Sequence, residues 1–294
     1  MSRLIITYMI IISAILALFS GFISCGAQLY KVPLKDDVDS RLMSQEAIDP
    51  NSPNYGIHAP KGWSTLPIKV KTAQDLSEKQ RQMILAAMET WEWAVGKQLF
   101  TDAGIHQGVT GDSFSNLYIS LSDNINGHYY DYNWAKTGKQ KMVLATTIWQ
   151  NLAEDPSFIE TSDIRYNAEK YMIGDSLELV SDGEREVVDL QSLALHELGH
   201  FLGLAHVSEE YDRYSIMNPA LFIGEGLITR EISHDDIERI QKIYGCEGNA
   251  CDIDALMEEQ EERKKLSYSS NRYPENTENG TEVQMEEQVQ QPSQ

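Results

Sequence analysis

His196-Glu197-Leu198-Gly199-His200-Phe201-Leu202-Gly203-Leu204-Ala205-His206 spells H-E-x-x-H-x-x-G-x-x-H. On a helix, residues four apart share a face, so His196 and His200 can aim at one metal ion. Glu197 projects from the next position, where its carboxylate can take a proton from water at the metal instead of ligating it. Gly203 enters the left-handed conformation without steric cost, so the helix can stop there and the chain can bring His206 back as third ligand. Three imidazoles leave a fourth position for water, which is the donor set of a catalytic zinc. A pair of histidines four apart also occurs in ordinary helices. The glycine and the third histidine, both in place, are what decide the reading.

A second element follows at Ser215-Ile216-Met217-Asn218-Pro219. With it the chain resembles the metzincin metalloproteases, Met217 standing where they carry their Met-turn, and it is most similar to the matrixin branch, with Met-x-Pro after the third histidine. Val207 departs from the serine that many matrixins place after that histidine. The resemblance implies an α+β, zincin-like domain over roughly 62–245. It implies a twisted, mostly parallel sheet with an antiparallel edge strand, three helices, and a zinc cleft between an upper and a lower subdomain. It further implies that Met217 lies beneath the imidazoles without binding the metal, and that an extended substrate pairs with an edge strand, which we place near Met142–Ile148.

Working outward, the alternating stretch Leu66–Lys71 reads as a strand, and Ser77 with Gln80 as a capping box opening a helix whose Ile84, Met88, Trp91 and Val95 form an apolar stripe to about Lys97. Strands are expected at Asn116–Leu121, Met142–Ile148 and Asp163–Asn167. Asp189 is placed to cap the motif helix. Ser233 with Asp236 opens a last helix that stops at Gly245.

The ends read differently. Arg3 precedes an apolar stretch from Leu4 to Ile23, and Ser24-Cys25-Gly26 follows. This is the pattern of an export signal, and the cysteine after a small residue resembles the lipobox of bacterial lipoproteins. We therefore expect a signal peptide over 1–24, lipidation of Cys25, and an exported, membrane-anchored protein; an ordinary cleaved signal and a retained transmembrane anchor are the alternatives. Residues 25–61 read as a flexible arm, 62–251 as the catalytic domain, and 252–294 as an acidic, disordered tail that includes Glu258-Glu259-Gln260-Glu261-Glu262. Cys246 and Cys251 enclose four residues and would close into a disulfide in an oxidising compartment.

The formal charge of −21 argues against nucleic acid as a partner. The expected function is zinc-dependent hydrolysis of peptide bonds in protein or peptide substrates by a monomer, with Glu197 as base. The rivals are a non-catalytic surface lipoprotein that uses the fold for binding, and a zinc amidase acting on cell-wall peptides. Calcium stays open, with no site marked for it. His58, His106, His128 and His234 are scattered, and His128 with Asp131 is the nearest candidate for the second, structural zinc that matrixins often carry. No cysteine stands between Cys25 and Cys246, so latency through a propeptide thiol is not expected. The tyrosine that astacin-like metzincins place soon after the Met-turn is also missing, since none follows Met217 before Tyr244. Pro219–Ile223 is expected to wall the pocket for the residue after the cut.

Overall fold

A computed structural model describes residues 30–33, 44–112 and 124–272. The expected signal segment, Cys25 and the strand at Asn116–Leu121 lie outside the described residues. Among the described residues, no helix is long and apolar enough to cross a membrane.

The architecture is α+β. The main sheet contains β2 (Ile68–Ala73), β3 (Phe100–His106), β4 (Asn126–Tyr130), β5 (Ala145–Asn151) and β6 (Ile159–Tyr166) in the order β3-β2-β4-β6-β5. Every pairing is parallel except β5 with β6, so β5 is an antiparallel edge strand. The edge therefore falls where the sequence places it, displaced a few residues from Met142–Ile148. β6 is buried at nearly every position, as expected of a strand covered on both faces.

Helix α2 (Glu78–Val95) opens with the Ser77–Gln80 capping box and buries Ile84, Met88, Trp91 and Val95. Helix α3 (Leu190–Leu202) carries the histidine motif, and its first turn is capped by the Asp189 carboxylate, which accepts from Ser192 N at 2.9 Å. α2 and α3 pack on each other, and α3 also lies against β5 and β6. The Trp91 indole donates to Leu195 O at 3.0 Å, tying the two helices at mid-length. Helix α4 (His234–Tyr244) opens with the Ser233–Asp236 box and ends at Gly245. The Cys246–Cys251 disulfide is present just beyond it. Two small sheets complete the fold: β1 (Tyr30–Pro33) runs antiparallel to β9 (Ala220–Ile223), and β7 (Met172–Gly174) runs parallel to β8 (Val187–Asp189).

Two segments depart from expectation. The arm is not loose between 44 and 61. Helix α1 (Gln45–Ile48) is a single turn with Ala47 buried, Ile57 bridges to Leu204, and Ala205 N donates to Gly56 O at 2.8 Å. Nor does disorder begin at 252, because α5 (Ile253–Arg272) continues the fold and brings the helices to five in place of three. Its charged run hides an apolar edge, Ile253, Leu256 and Met257, that docks on the core. Gln260 clasps Ile232 through both main-chain groups (3.1 and 3.0 Å), and Glu259 accepts from the Trp93 indole at 3.2 Å.

Beneath α3, His128 is fully buried on β4 with Nδ1 at 2.7 Å from the Tyr166 hydroxyl. Burial lowers its pKa from the ordinary 6.5 to about 3, so it is neutral in the folded protein. The unfolded chain binds this proton below 6.5, so the stability His128 contributes is complete above that pH and is lost as pH falls towards 3. Urea unfolding at pH 7 and pH 5, with chelator present throughout, should show His128→Gln losing about 2 kcal/mol less than the wild type across that interval. Equal losses in both proteins would refute a neutral buried His128.

Candidate metal centre

The last turn of α3 brings the motif together. His196 and His200 are fully buried, and His206 reaches them from the loop after Gly203. His200 Nε2 lies 3.1 Å from His196 Nε2 and 3.2 Å from His206 Nε2. The opposite ring nitrogens face carbonyls: His196 Nδ1 is 2.6 Å from Ile216 O, and His200 Nδ1 is 2.9 Å from Leu204 O. A carbonyl only accepts, so each Nδ1 carries the hydrogen and each Nε2 presents its lone pair. Lone pairs this close repel one another unless a cation sits between them. Imidazole ligands on a tetrahedral zinc, with Zn–N near 2.0–2.1 Å, stand about 3.3 Å apart. The donor set, its tautomers and its spacing therefore fit zinc.

Two glycines make the arrangement possible. At Gly203, φ is 109°, and a Cβ there would meet Ala59 O at 2.8 Å. At Gly199 a Cβ would stand 2.2 Å from Met217 Sδ, so only glycine lets the methionine turn approach α3. Met217 is fully buried, and Val207 N donates to Met217 O at 3.0 Å, binding the turn to the strand of chain just after His206. The turn is fixed from the other side by the buried Asp236, which accepts from Ser215 Oγ (2.6 Å) and Ile216 N (2.8 Å). That places Ile216 O against His196.

Glu197 is fully buried beside the histidines. Its Oε2 accepts from Thr147 Oγ1, on β5, at 2.5 Å. His58, from the arm, was not grouped with the site by sequence, yet its Nε2 meets His200 O at 2.9 Å and its ring stacks on Trp149 of β5 at 4.1 Å. Burial lowers its pKa to about 4, the His200 carbonyl opposing part of that shift. No spacing in the sequence links residues 58 and 200.

His128 and Asp131 do not form a second cluster. His128 turns to Tyr166, while Asp131 is paired with the Arg165 guanidinium, both fully buried. Tyr244, the next tyrosine after Met217, donates to Leu202 O at 2.7 Å and so caps α3 instead of entering the site. His234 stands on the first turn of α4 with Asp235 and Glu238, partly exposed and away from the motif. Pro219–Ile223 contains β9, where Leu221 and Ile223 are buried and Phe222 is exposed. A cavity of about 610 Å³ is lined by residues that include Tyr214, Ile216, Leu221, Phe222 and Met257, and none of the three histidines borders it.

The Matrixin family profile matches residues 65–245, more than half of the chain. Metalloendoproteinase 5-MMP of Arabidopsis thaliana is 43% identical over 83 residues, covering 26% of this chain and 22% of that protein. Metalloendoproteinase 2-MMP of the same plant is 45% identical over 62 residues (21% and 15%), and Matrilysin of Rattus norvegicus is 41% identical over 71 residues (24% and 25%). The matched stretches thus span a quarter or less of the length of these relatives.

The convergence of three nitrogens predicts one zinc per chain. Chelator competition should show His196→Ala, His200→Ala and His206→Ala each weakening zinc by more than the roughly 10–100-fold that loss of an outer-shell partner costs. Wild-type affinity in His206→Ala would remove that residue from the centre.

Proposed function

The chain belongs to the matrixin family, and from that premise we propose that it is a zinc-dependent endopeptidase acting on protein or peptide substrates. The observation that carries this reading is the convergence of His196, His200 and His206, with both inner Nδ1 atoms committed to carbonyls and the Glu197 carboxylate alongside. The three histidines would hold the ion. Zinc so bound would supply a Lewis acid that polarises a carbonyl and lowers the pKa of water to about 7. Glu197 accepts the proton of the attacking water and returns it to the nitrogen of the leaving amine. β5 offers the main-chain groups of an edge strand, against which an extended substrate can pair whatever its side chains. Ile216 O and Leu204 O keep His196 and His200 in the tautomer that presents Nε2.

Glu197→Gln tests the chemistry. It should keep zinc and fold while losing at least about 100-fold in turnover on casein, the lower end of general-base contributions. Casein cleavage near the wild-type rate would sink the mechanism. Digestion of purified cell wall with casein left intact would favour the amidase reading.

For location, the reading is an exported protein anchored through a lipidated Cys25. The Cys246–Cys251 disulfide supports an oxidising compartment, and Arg3 with the apolar stretch before Ser24-Cys25 supports export. Intact-mass measurement of membrane-extracted protein should find a chain beginning at acylated Cys25, and Cys25→Ala should block that processing. An unprocessed mass, or a soluble product with a free N-terminus, would overturn the lipid anchor.

A further inference from the structure

Ala145, Thr147 and Trp149 alternate along one face of β5, the face that meets α3. All three are buried, and Trp149 stacks on His58. A hydroxyl buried between an alanine and a tryptophan needs a hydrogen-bond partner. Two acceptors lie within reach of Thr147 Oγ1, and both belong to Glu197: carboxylate Oε2 at 2.5 Å and the main-chain oxygen at 3.1 Å. The hydroxyl has one hydrogen. The contact to the carboxylate is the shorter of the two, so the hydrogen goes to Oε2.

We propose that Thr147 is a positioning residue for Glu197: its hydroxyl holds Oε2 and thereby fixes the plane in which the carboxylate receives the proton. The inference rests on the reading of Glu197 as the base. The terminal torsion of a glutamate is soft, with a broad range of carboxylate orientations at little cost. The branched Thr147 side chain on a strand is stiff, so a bond to it converts that soft torsion into a fixed one. Thr147 also belongs to the edge strand that would dock the substrate. One hydroxyl therefore sets the spacing between the strand that holds the scissile bond and the group that moves the proton. Displacements of about 1 Å in such constellations cost on the order of 100-fold.

Thr147→Val keeps the shape and removes the hydroxyl, whereas Thr147→Ser keeps the hydroxyl and removes a methyl. Zinc content, kcat and KM on a peptide substrate, and the infrared band of the Glu197 carboxylate should be measured for each. The band is isolated by subtracting the spectrum of the corresponding Glu197→Gln protein, with zinc and with chelator. Thr147→Val should keep zinc, lower kcat by about 10–100-fold with KM changed less than about 3-fold, and shift the carboxylate band. Thr147→Ser should restore kcat to within about 3-fold and return the band to its wild-type position. If Thr147→Val does not fold, Thr147→Ala takes its place, since it adds no bulk.

A Val variant with wild-type kcat and an unmoved band would overturn the proposal. So would equal losses in Val and Ser, which would make the role one of packing. A wild-type chain with no peptidase activity would instead sink the reading of Glu197 as base. The band comparison separates that failure from loss of the Thr147 contact.

Discussion

The last four carbonyls of a helix have no partner within it, and in α3 those carbonyls belong to the turn that carries His200. Their acceptors are filled from three places. Gly203 N serves Gly199 O and His200 O, His58 adds a second donor to His200 O, the Trp63 indole donates to Phe201 O at 2.7 Å, and the Tyr244 hydroxyl donates to Leu202 O. Gly203 O in turn accepts from His58 N and Ala59 N. An unmet buried carbonyl costs about 1–3 kcal/mol, so the arm, the glycine cap and α4 each contribute at a level that matters to a domain of marginal stability. His200 points where it does because its turn is clamped by chain segments more than a hundred residues upstream and forty residues downstream.

The same economy governs the other side of the centre. Asp236 serves the capping box of α4 and, with the same carboxylate, holds Ser215 and Ile216. Ile216 O then decides the tautomer of His196. Burial pushes the Asp236 pKa up, while Arg239, at 2.8 Å, and its hydrogen bonds oppose that shift. Helix α4 thus acts on His196 through two residues of the methionine turn. β5 reaches Glu197 through Thr147 in a comparable way. His196, His200 and Glu197 are held by contacts from separate layers, so none can shift without breaking a buried hydrogen bond.

Local rules in the sequence carried much of this. The boxes at Ser77 and Ser233, the Asp189 cap and the Gly203 stop need only residues three or four apart, and each forms as read. The motif itself is local, which is why His196, His200 and His206 are recognisable before any fold is known. The contacts that were not legible are long-range. His58 meets His200 across 142 positions, and Thr147 meets Glu197 across 50. β3 and β4 were missed because Gly104, Gly127 and polar side chains interrupt their alternation, and β9 because its four residues are all apolar and show no alternation. The helical tail was legible in principle from Ile253, Leu256 and Met257, but the acidic run around them reads as solvated chain.

The pairing of Asp131 with Arg165 shows why a search for a second metal from histidine positions alone misleads. The carboxylate is fully buried, and an isolated buried charge is prohibitively costly, so it requires a cation. That cation need not be an ion from solution, because β6 delivers a guanidinium to it. Burial pushes the Asp131 pKa up and the Arg165 pKa down, so each group is displaced towards its neutral form, and their mutual attraction opposes both shifts. A pair in this state contributes little net stability, yet removing one partner strands the other, at a cost of about 3–5 kcal/mol. The Asp131 Oδ1 atom also accepts from Asn133 N at 2.7 Å, fixing the loop that leaves β4. Charge neutralisation here is written into the chain, in contrast to the histidine centre, where the nitrogens of His196, His200 and His206 converge in an arrangement that fits an added cation.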